Sequence, residues 1–182
     1  MKIIPTSIPD LVLIDPKSHQ DERGFFLEAF QEERYQKLLN RKINFVQDNL
    51  SRSNKKVLRG LHYQIQQPQD KLVTVIRGSV FDVAVDIRTQ SASFGQWFGT
   101  ILNDENHYQL FIPKGFAHGF CVLSEIADFH YKCSDYYNPK AEQGILWSDP
   151  SLAIDWPLSE PIVSPKDENY AYLKNIPAKF LF

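Results

Sequence analysis

Alternating apolar and polar residues form the clearest pattern in this chain. The stretch FDVAVDIR at 81–88 places Phe, Val, Val and Ile on one face and Asp, Ala, Asp and Arg on the other. A repeat of two residues is typical of a β-strand, whose side chains point alternately to its two faces. We therefore predict a strand with one face against an apolar layer. The other face should meet water or a polar cavity, as inside a β-barrel with a wet interior.

Short runs of similar character predict further strands. They lie at 72–76, 80–87, 96–102, 107–112, 119–123 and 128–134. Their close spacing favours an antiparallel sandwich or barrel. The run Arg77-Gly78-Ser79, between the first two of them, predicts the turn of a β-hairpin.

Helical sequence is scarce. Residues 31–41 are rich in Glu, Gln, Lys and Leu and contain neither Gly nor Pro, which predicts a helix there. The proline-containing tail from Trp156 predicts short helices or turns around the barrel. The pattern therefore indicates a mainly β fold with short peripheral helices.

Length and charge narrow the class of protein. The 182 residues contain no repeat and no linker long enough to divide them, which predicts one domain over 1–182. A formal net charge of −2 argues against a nucleic-acid partner. No apolar run is long enough to span a bilayer, so we expect a cytoplasmic protein without a membrane partner. Cys121 and Cys133 match no zinc or redox spacing; they predict buried, reduced thiols, with pairing left open.

His62 is the strongest candidate for chemistry. Within RGLHYQ, strand alternation places His62 on the same face as Gly60 and Gln64 and opposite Arg59. Gly60 leaves room beside His62 for a ligand or another backbone. Together with the polar run Gln47-Asp48-Asn49, this pattern predicts a functional rather than a structural histidine.

Three other motifs carry weaker signals. The turn PKGFAHG enters a strand, which predicts His118 at the cavity mouth or, alternatively, a plain turn. His130 and Tyr131 lie on opposite strand faces, so at most one faces the site; a Tyr hydroxyl there could donate a proton, and packing is the alternative. Arg23 with Glu28 forms either a solvated pair or, through the planar guanidinium, a phosphate contact.

Metal ligands are sparse around His62. The next residue on its face is Gln64, and no His or carboxylate follows before Asp70. A transition metal requires several converging imidazole or carboxylate ligands. We therefore predict no catalytic metal.

Several longer motifs resemble those of one family. They are DERGFF at 21–26, LRGLHYQ at 58–64, FDVAVDIR at 81–88, IPKGFAHGF at 112–120, Tyr131-Lys132, Tyr136-Tyr137 and WSDP at 147–150. In type and order these motifs are similar to those of the dTDP-4-dehydrorhamnose 3,5-epimerases. His130, Asp135, Lys140 and the tail 174–182 depart from the family's usual pattern without removing a catalytic group.

The resemblance implies a cupin-type, jelly-roll antiparallel β-barrel. It also implies a homodimer with exchanged N-terminal strands that acts on a dTDP-sugar without metal or organic cofactor. The implied reaction inverts carbons 3 and 5 of dTDP-4-dehydro-6-deoxy-D-glucose and gives dTDP-4-dehydro-L-rhamnose, towards dTDP-L-rhamnose for lipopolysaccharide or other cell-surface polysaccharide. Both carbons adjoin the C4 ketone, so their protons can leave as an enolate forms. A histidine, with an ordinary pKa of roughly 6.5, suits this removal.

Roles for individual residues follow from the same resemblance. His62 is the base, and Asp167 orients it and stabilises its charged form. Lys71 stabilises the enolate oxygen, and Tyr131 returns a proton from the opposite face. The implied substrate-binding residues are Arg23, Glu28, Gln47, Asn49, Arg59, His118, Tyr137, Glu142 and Lys166. Among them Arg23 and Arg59 hold the diphosphate and Tyr137 stacks on thymine, while contacts of Arg23 and Glu28 cross to the partner's site.

Alternatives to the 3,5-epimerase remain open. An epimerase acting at carbon 3 alone needs no donor for carbon 5, so Tyr131 argues against it. A non-catalytic sugar-nucleotide binding module could lose the base, whereas this chain keeps His62. A metal-dependent oxygenase of the same barrel type would require a bound metal.

Overall fold

Two antiparallel β-sheets face each other in the computed structural model, which describes residues 1–182. One sheet has six strands in the order β1-β2-β10-β7-β12-β5, and the other has five in the order β13-β6-β11-β8-β9. A separate hairpin, β3-β4, lies outside both sheets. The predicted cupin-type, jelly-roll fold with short peripheral helices is confirmed. The edge strands of the two sheets do not pair with each other, so the sheets form a sandwich rather than a closed barrel.

The strands are short, as is usual for jelly rolls. Their bounds are β1 Lys2–Pro5, β2 Val12–Asp15, β3 Ser18–Asp21, β4 Gly24–Leu27, β5 Gln47–Asn54, β6 Leu58–Gln64, β7 Lys71–Arg77, β8 Ser79–Asp86, β9 Trp97–Asn103, β10 Gln109–Ile112, β11 Phe116–Val122, β12 Ile126–Cys133 and β13 Glu142–Gly144. The strands predicted at 72–76, 80–87, 96–102, 107–112, 119–123 and 128–134 correspond to β7 to β12.

The helices are few and short. The predicted helix at 31–41 is confirmed as α1, Glu32–Leu38, whose first turn is capped by the Gln31 side chain accepting a hydrogen bond from the Arg34 N–H. The tail holds α2, Pro165–Glu168, and two 3₁₀ turns, Leu173–Asn175 and Ala178–Phe180, as its composition predicts. Neither helix is long and apolar enough to cross a membrane.

The predicted hairpin around Gly78 is wrong. Strand β7 pairs with β10 and β12 in the six-stranded sheet, whereas β8 pairs with β9 and β11 in the other sheet. Gly78 adopts φ +82°, and an added Cβ would lie 2.1 Å from the Ile126 carbonyl oxygen. The turn therefore carries the chain across from one sheet to the other at a crowded corner, where only glycine fits.

Apolar residues fill three layers. The largest cluster lies between the two sheets and includes Val73, Leu110 and Phe129. A second lies between the five-stranded sheet and the C-terminal tail, and a third lies beneath α1. Strand β8 is therefore covered on both faces. Its alternation is confirmed, but its carboxylates Asp82 and Asp86 are fully buried and hydrogen-bonded instead of meeting water.

Both cysteines are buried and unpaired. Cys121 lies on β11 and Cys133 on β12, in different sheets, and no disulfide joins them. The prediction of buried, reduced thiols is confirmed.

Asp86 anchors the end of β8 and does not line the cavity described below. Its carboxylate accepts hydrogen bonds from Arg88 at 2.7 Å and from the hydroxyls of Ser91 and Ser93, each at 2.7 Å. Burial alone would raise its pKa, but these donors outweigh burial and lower the pKa of Asp86 to about 2. The buried charge is thus fully paired and favours the folded state.

We expect Asp86→Asn to lower the free energy of unfolding by about 2 kcal/mol at pH 7. Because the folded pKa lies below the ordinary value of 3.8, this stabilisation is present above about pH 4 and disappears as the pH falls towards about 2. Urea unfolding at pH 7 and pH 3 measures the difference, with the exposed Asp155→Asn as control. An equal loss at both pH values would show that packing, not charge, is responsible.

Candidate active site

A cavity of about 680 Å³ opens at one end of the sandwich. Strands β5, β7 and β12 of the six-stranded sheet form one wall, and β6, β11 and β13 of the other sheet form the opposite wall. The segment 162–167, which joins the tail to β6, closes the side. A ligand in this cavity would therefore lie between two sheets that each present their own side chains.

Eleven of the thirteen predicted site residues line this cavity. They are Gln47, Asn49, Arg59, His62, Lys71, His118, Tyr131, Tyr137, Glu142, Lys166 and Asp167. The other two, Arg23 and Glu28, lie outside it.

His62 and Asp167 are in direct contact. The His62 Nε2 lies 2.7 Å from Asp167 Oδ1, and the other carboxylate oxygen accepts the Gly60 N–H at 3.2 Å. Asp167 is 3% exposed, while the His62 side chain is 27% exposed and borders the cavity. Nε2 therefore donates to the carboxylate, which leaves Nδ1 as the nitrogen with a free lone pair.

The start of α2 fixes Asp167 in place. The Ser164 hydroxyl accepts a hydrogen bond from the Asp167 N–H at 3.1 Å, and Pro165 stands at the first helical position. Burial favours a higher pKa for Asp167, but the hydrogen bonds from His62 and Gly60 outweigh it and hold the pKa below its usual range. The carboxylate therefore stays charged beside the imidazole.

A bulge at Gly60 corrects the predicted faces of β6. Simple alternation placed Arg59 opposite His62, yet both line the cavity. Strand β6 has one residue more than β11 between the pairs His62–His118 and Arg59–Phe120. Gly60 has φ +118°, and a Cβ there would lie 2.5 Å from the Gly119 Cα. The extra residue turns Arg59 towards the cavity, and only glycine permits this approach.

Lys71 and Tyr131 stand on the wall opposite His62. Tyr131 pairs with Val73 of β7 and with Asn49 of β5, so its side chain projects inwards beside theirs. His130 projects outwards near Asp48, as strand alternation predicts. The imidazole and the phenol therefore approach the cavity from opposite sides.

Burial shifts the pKa values of both groups. Desolvation lowers the pKa of the Lys71 ammonium, although the negative charge of Glu142 partly offsets it. Desolvation also raises the pKa of the Tyr131 hydroxyl, which keeps its proton available for donation. An ammonium at this position would stabilise a negative charge that develops on a ligand, most strongly where little water is present.

His118 is not at the cavity mouth, contrary to the prediction. It is 8% exposed and forms part of the inner wall, directly opposite His62 across the β6–β11 ladder. Its Nε2 lies 2.9 Å from the fully buried Asp82 carboxylate, and its ring stacks on Phe129. Asp82 fixes the ring in one orientation, so His118 presents its remaining edge to a ligand.

Polar groups surround the opening. Gln47 accepts the Tyr137 N–H at 2.9 Å and donates to Asn49 at 3.0 Å. Arg59 donates to the Ser53 hydroxyl at 3.0 Å, which leaves most of its guanidinium free of protein acceptors. The half-exposed Tyr137 ring is held at the rim because its hydroxyl donates to Glu142 at 2.7 Å.

Arg23 and Glu28 do not form the solvated pair that was one of the two alternatives for them. Arg23 pairs instead with Asp21 at 2.6 Å, and Glu28 pairs with Arg34 of α1 at 3.1 Å. Both lie at the hairpin β3-β4 or just after it, outside the cavity.

Several supporting residues were not predicted from the sequence. They are Ser164, Asp82, Cys133 and Tyr170. Tyr170 packs edge-to-face against His62 with ring centroids 5.8 Å apart and lies over Gly144, where a Cβ would be 2.4 Å from its ring. A capping signal, Ser164 three residues before Asp167, is visible in the sequence. The other three depend on contacts between segments that are distant in the sequence, for which the sequence carries no signal.

Comparison with known proteins shows the family to which the chain belongs. The sequence profile of the dTDP-4-dehydrorhamnose 3,5-epimerases matches residues 5–175. The chain is 54% identical over 170 residues to the dTDP-4-dehydrorhamnose 3,5-epimerase of Shigella flexneri, covering 93% of this chain and 94% of that one. The crystal structure of the Legionella pneumophila dTDP-6-deoxy-D-glucose-3,5-epimerase, in complex with dTDP-4-keto-L-rhamnose, is 60% identical. It superimposes with a TM-score of 0.96, covering 99% of this chain and 96% of that one.

A more distant relative acts on one carbon. A 3'-monoepimerase from Streptomyces bikiniensis is 32% identical, with a TM-score of 0.88, covering 93% of this chain and 86% of that one. It was solved with dTDP as a double variant in which a histidine and a tyrosine were replaced.

The fold, the cavity and these matches define the class: the protein is a carbohydrate epimerase, an isomerase built on a jelly roll. More narrowly, the chain belongs to the dTDP-4-dehydrorhamnose 3,5-epimerase family. The family and the enzyme class predicted from the sequence motifs are confirmed.

Proposed function

We propose that this protein inverts carbons 3 and 5 of dTDP-4-dehydro-6-deoxy-D-glucose and releases dTDP-4-dehydro-L-rhamnose. The observation that carries the proposal is the placement of His62 and Tyr131 on opposite walls of one cavity, with Lys71 beside the phenol. Inversion at a carbon requires a proton to leave from one face and another to arrive at the other face. Groups on facing sheets meet that requirement.

His62 acts as the base through Nδ1, because its Nε2 is bonded to Asp167. As the carbon–hydrogen bond breaks, the proton moves to Nδ1 and the electron pair delocalises onto the C4 ketone oxygen as an enolate. Asp167 stabilises the resulting imidazolium and holds the ring in the required orientation. A positioned base of this kind typically accelerates such a step by about 10²–10⁴-fold.

Lys71 stabilises the enolate oxygen, and Tyr131 completes the inversion. An ammonium placed beside the developing oxyanion contributes several kcal/mol to the transition state in a dry site. The Tyr131 hydroxyl then gives its proton to the carbon from the face opposite His62. Without that donor, the base returns a proton to the original face and the starting sugar re-forms.

The remaining cavity residues bind the nucleotide. Arg59, at the opening, suits the diphosphate because its guanidinium matches phosphate oxygens. Tyr137 at the rim stacks on the thymine, a contact typically worth about 1–3 kcal/mol. Polar contacts to the substrate come from Gln47, Asn49, His118, Glu142 and Lys166.

A second copy of the chain completes the site. The hairpin β3-β4 exposes Phe25 and Phe26, 57% and 71% accessible, and carries Arg23 on the same projecting unit. Exposed neighbouring aromatics favour association. A homodimer that exchanges this N-terminal segment would cover both rings and bring Arg23 and Glu28 to the partner's cavity. Light scattering that gives the mass of one 21.1 kDa chain would contradict this assembly.

A 3-epimerase is the second candidate. The replaced tyrosine of the Streptomyces bikiniensis monoepimerase indicates that a tyrosine also belongs to single-carbon enzymes, so Tyr131 alone does not separate the two activities. The higher identity to the 3,5-epimerases, 54% and 60% against 32%, favours double inversion.

Product analysis distinguishes these candidates. The protein is incubated with dTDP-4-dehydro-6-deoxy-D-glucose, and the ring-proton couplings of the product are followed by NMR. Inversion at both carbons is the expected result. Inversion at carbon 3 alone would establish the 3-epimerase, and unchanged substrate would contradict both.

A further inference from the structure

The base His62 must lose its proton between two inversions of one substrate molecule. This requirement rests on the proposed function. Each inversion leaves a proton on His62 and removes one from Tyr131. The second carbon can react only after His62 has lost its proton and Tyr131 has regained one. The structure must therefore connect the imidazole with water while the sugar nucleotide is still bound.

The Nε2 side of His62 offers no such connection. Both oxygens of Asp167 are occupied, one by His62 and the other by the Gly60 N–H, and the residue is 3% exposed. Neither of these hydrogen bonds leads from Asp167 to a group in contact with solvent. Asp167 therefore orients His62 but does not carry its proton away.

The Nδ1 side meets a second carboxylate. Glu142 Oε1 lies 3.8 Å from His62 Nδ1, beyond direct hydrogen-bond length but within reach of one bridging water or a small side-chain rotation. The other oxygen, Oε2, accepts hydrogen bonds from the Tyr137 hydroxyl and the Lys166 ammonium. The Lys166 side chain is 53% exposed, whereas the Glu142 side chain is 10% exposed. Glu142 thus stands between the base nitrogen and groups in contact with solvent.

We propose that Glu142 is the proton relay that returns His62 to its neutral form between the two inversions. The Nδ1–H bond breaks as an O–H bond forms on Glu142. The proton then passes to water at the rim, and Glu142 becomes a carboxylate again. Tyr131, left as a phenolate, takes a proton from water. Each inversion therefore gives one proton to solvent and takes one from it, with no change in oxidation state.

The charges around Glu142 suit this task. Burial favours a higher pKa, but the hydrogen bonds from Lys166 and Tyr137, with the charge of His62, outweigh it and hold the pKa of Glu142 below its ordinary value. A weakly basic carboxylate releases its proton to water quickly. It therefore serves as a transient acceptor and does not keep the proton.

The test is Glu142→Gln, which keeps the size and hydrogen-bonding oxygen of the side chain but cannot carry the proton. We expect the second inversion to slow by about 10- to 100-fold relative to the first, so that singly inverted sugar accumulates even if substrate binding also weakens. Formate in the assay should restore part of the double inversion. Glu142→Asp, which keeps a carboxylate, should do the same, and the exposed Glu168→Gln is the matched control.

Two outcomes would overturn the relay. One is a higher KM with the product ratio of the unaltered protein, which would show that Glu142 only binds substrate. The other is equal loss of both inversions without rescue by formate. Either result leaves the proposed function intact, since that fails only if the unaltered protein yields no inverted sugar.

Discussion

His62→Ala is expected to abolish hydrogen exchange at both carbons 3 and 5, with kcat lower by about 10³-fold or more. The imidazole presents its free nitrogen to the cavity, while Asp167 holds the other nitrogen at 2.7 Å. Without it the enolate does not form at either carbon. Affinity for dTDP should change little, because the nucleotide contacts lie at the rim. Solvent deuterium incorporation followed by NMR, with dTDP titration, measures both quantities.

His130→Ala is the matched control, since His130 directly precedes Tyr131 in β12 but its side chain lies on the outer face of the sheet. That variant should exchange hydrogen at the unaltered rate. Undiminished exchange in His62→Ala would remove His62 as the base. Absence of exchange in both the variant and the unaltered protein would instead identify a binding module.

Tyr131→Phe is expected to separate exchange from inversion. His62 would still remove the proton, and with no donor on the opposite wall it would return one to the original face. Deuterium from the solvent should therefore enter the sugar while its configuration is kept. Inversion should slow by about 10²–10⁴-fold, the usual contribution of a general acid. The raised pKa of Tyr131 means that this donor is protonated throughout the neutral range.

Tyr136→Phe serves as the comparison, because Tyr136 is 61% exposed and lies outside the cavity. Parallel loss of exchange and inversion in Tyr131→Phe would mean that the phenol assists proton removal and does not act as the far-side donor. Normal inversion would assign the donor to another group.

The strands with clear alternation could be predicted from the sequence, and those without it could not. Strands β7 to β12 contain runs of apolar residues, many of them buried, and those runs are visible in the chain, with the cleanest alternation in β8. Strand β5, Gln47–Asn54, is polar apart from the exposed Leu50 and forms because all eight residues pair with β12. Its inward side chains Gln47, Asn49 and Ser51 line the cavity rather than a core, so no apolar signal marks it.

Pairing between strands was the least predictable part of the fold. A glycine between two apolar runs is the usual sign of a hairpin, yet Gly78 joins strands of different sheets. The choice depends on which partners bury the strands best, and β10 and β12 are distant in sequence. The same limit applies to the bulge at Gly60, which lets the side chains of Arg59 and His62 both point into the cavity.

The chemistry of the site was predictable in kind because reactive residues stand in recognisable motifs. The orientation of His62 was not, since the choice of Nε2 for Asp167 follows from the position of α2 against β6. Nor was the approach of Glu142 to the other ring nitrogen, which requires β13 to pair beside β6. Those two contacts decide which nitrogen acts as the base and where its proton goes.

Deuterium incorporation by the unaltered protein tests the central claim most directly. The protein is incubated with dTDP-4-dehydro-6-deoxy-D-glucose in deuterated water, and the sugar is examined by NMR and mass spectrometry. One solvent deuterium at carbon 3 and one at carbon 5, both in inverted configuration, is the predicted result. A sugar that carries no deuterium at either carbon would contradict the account.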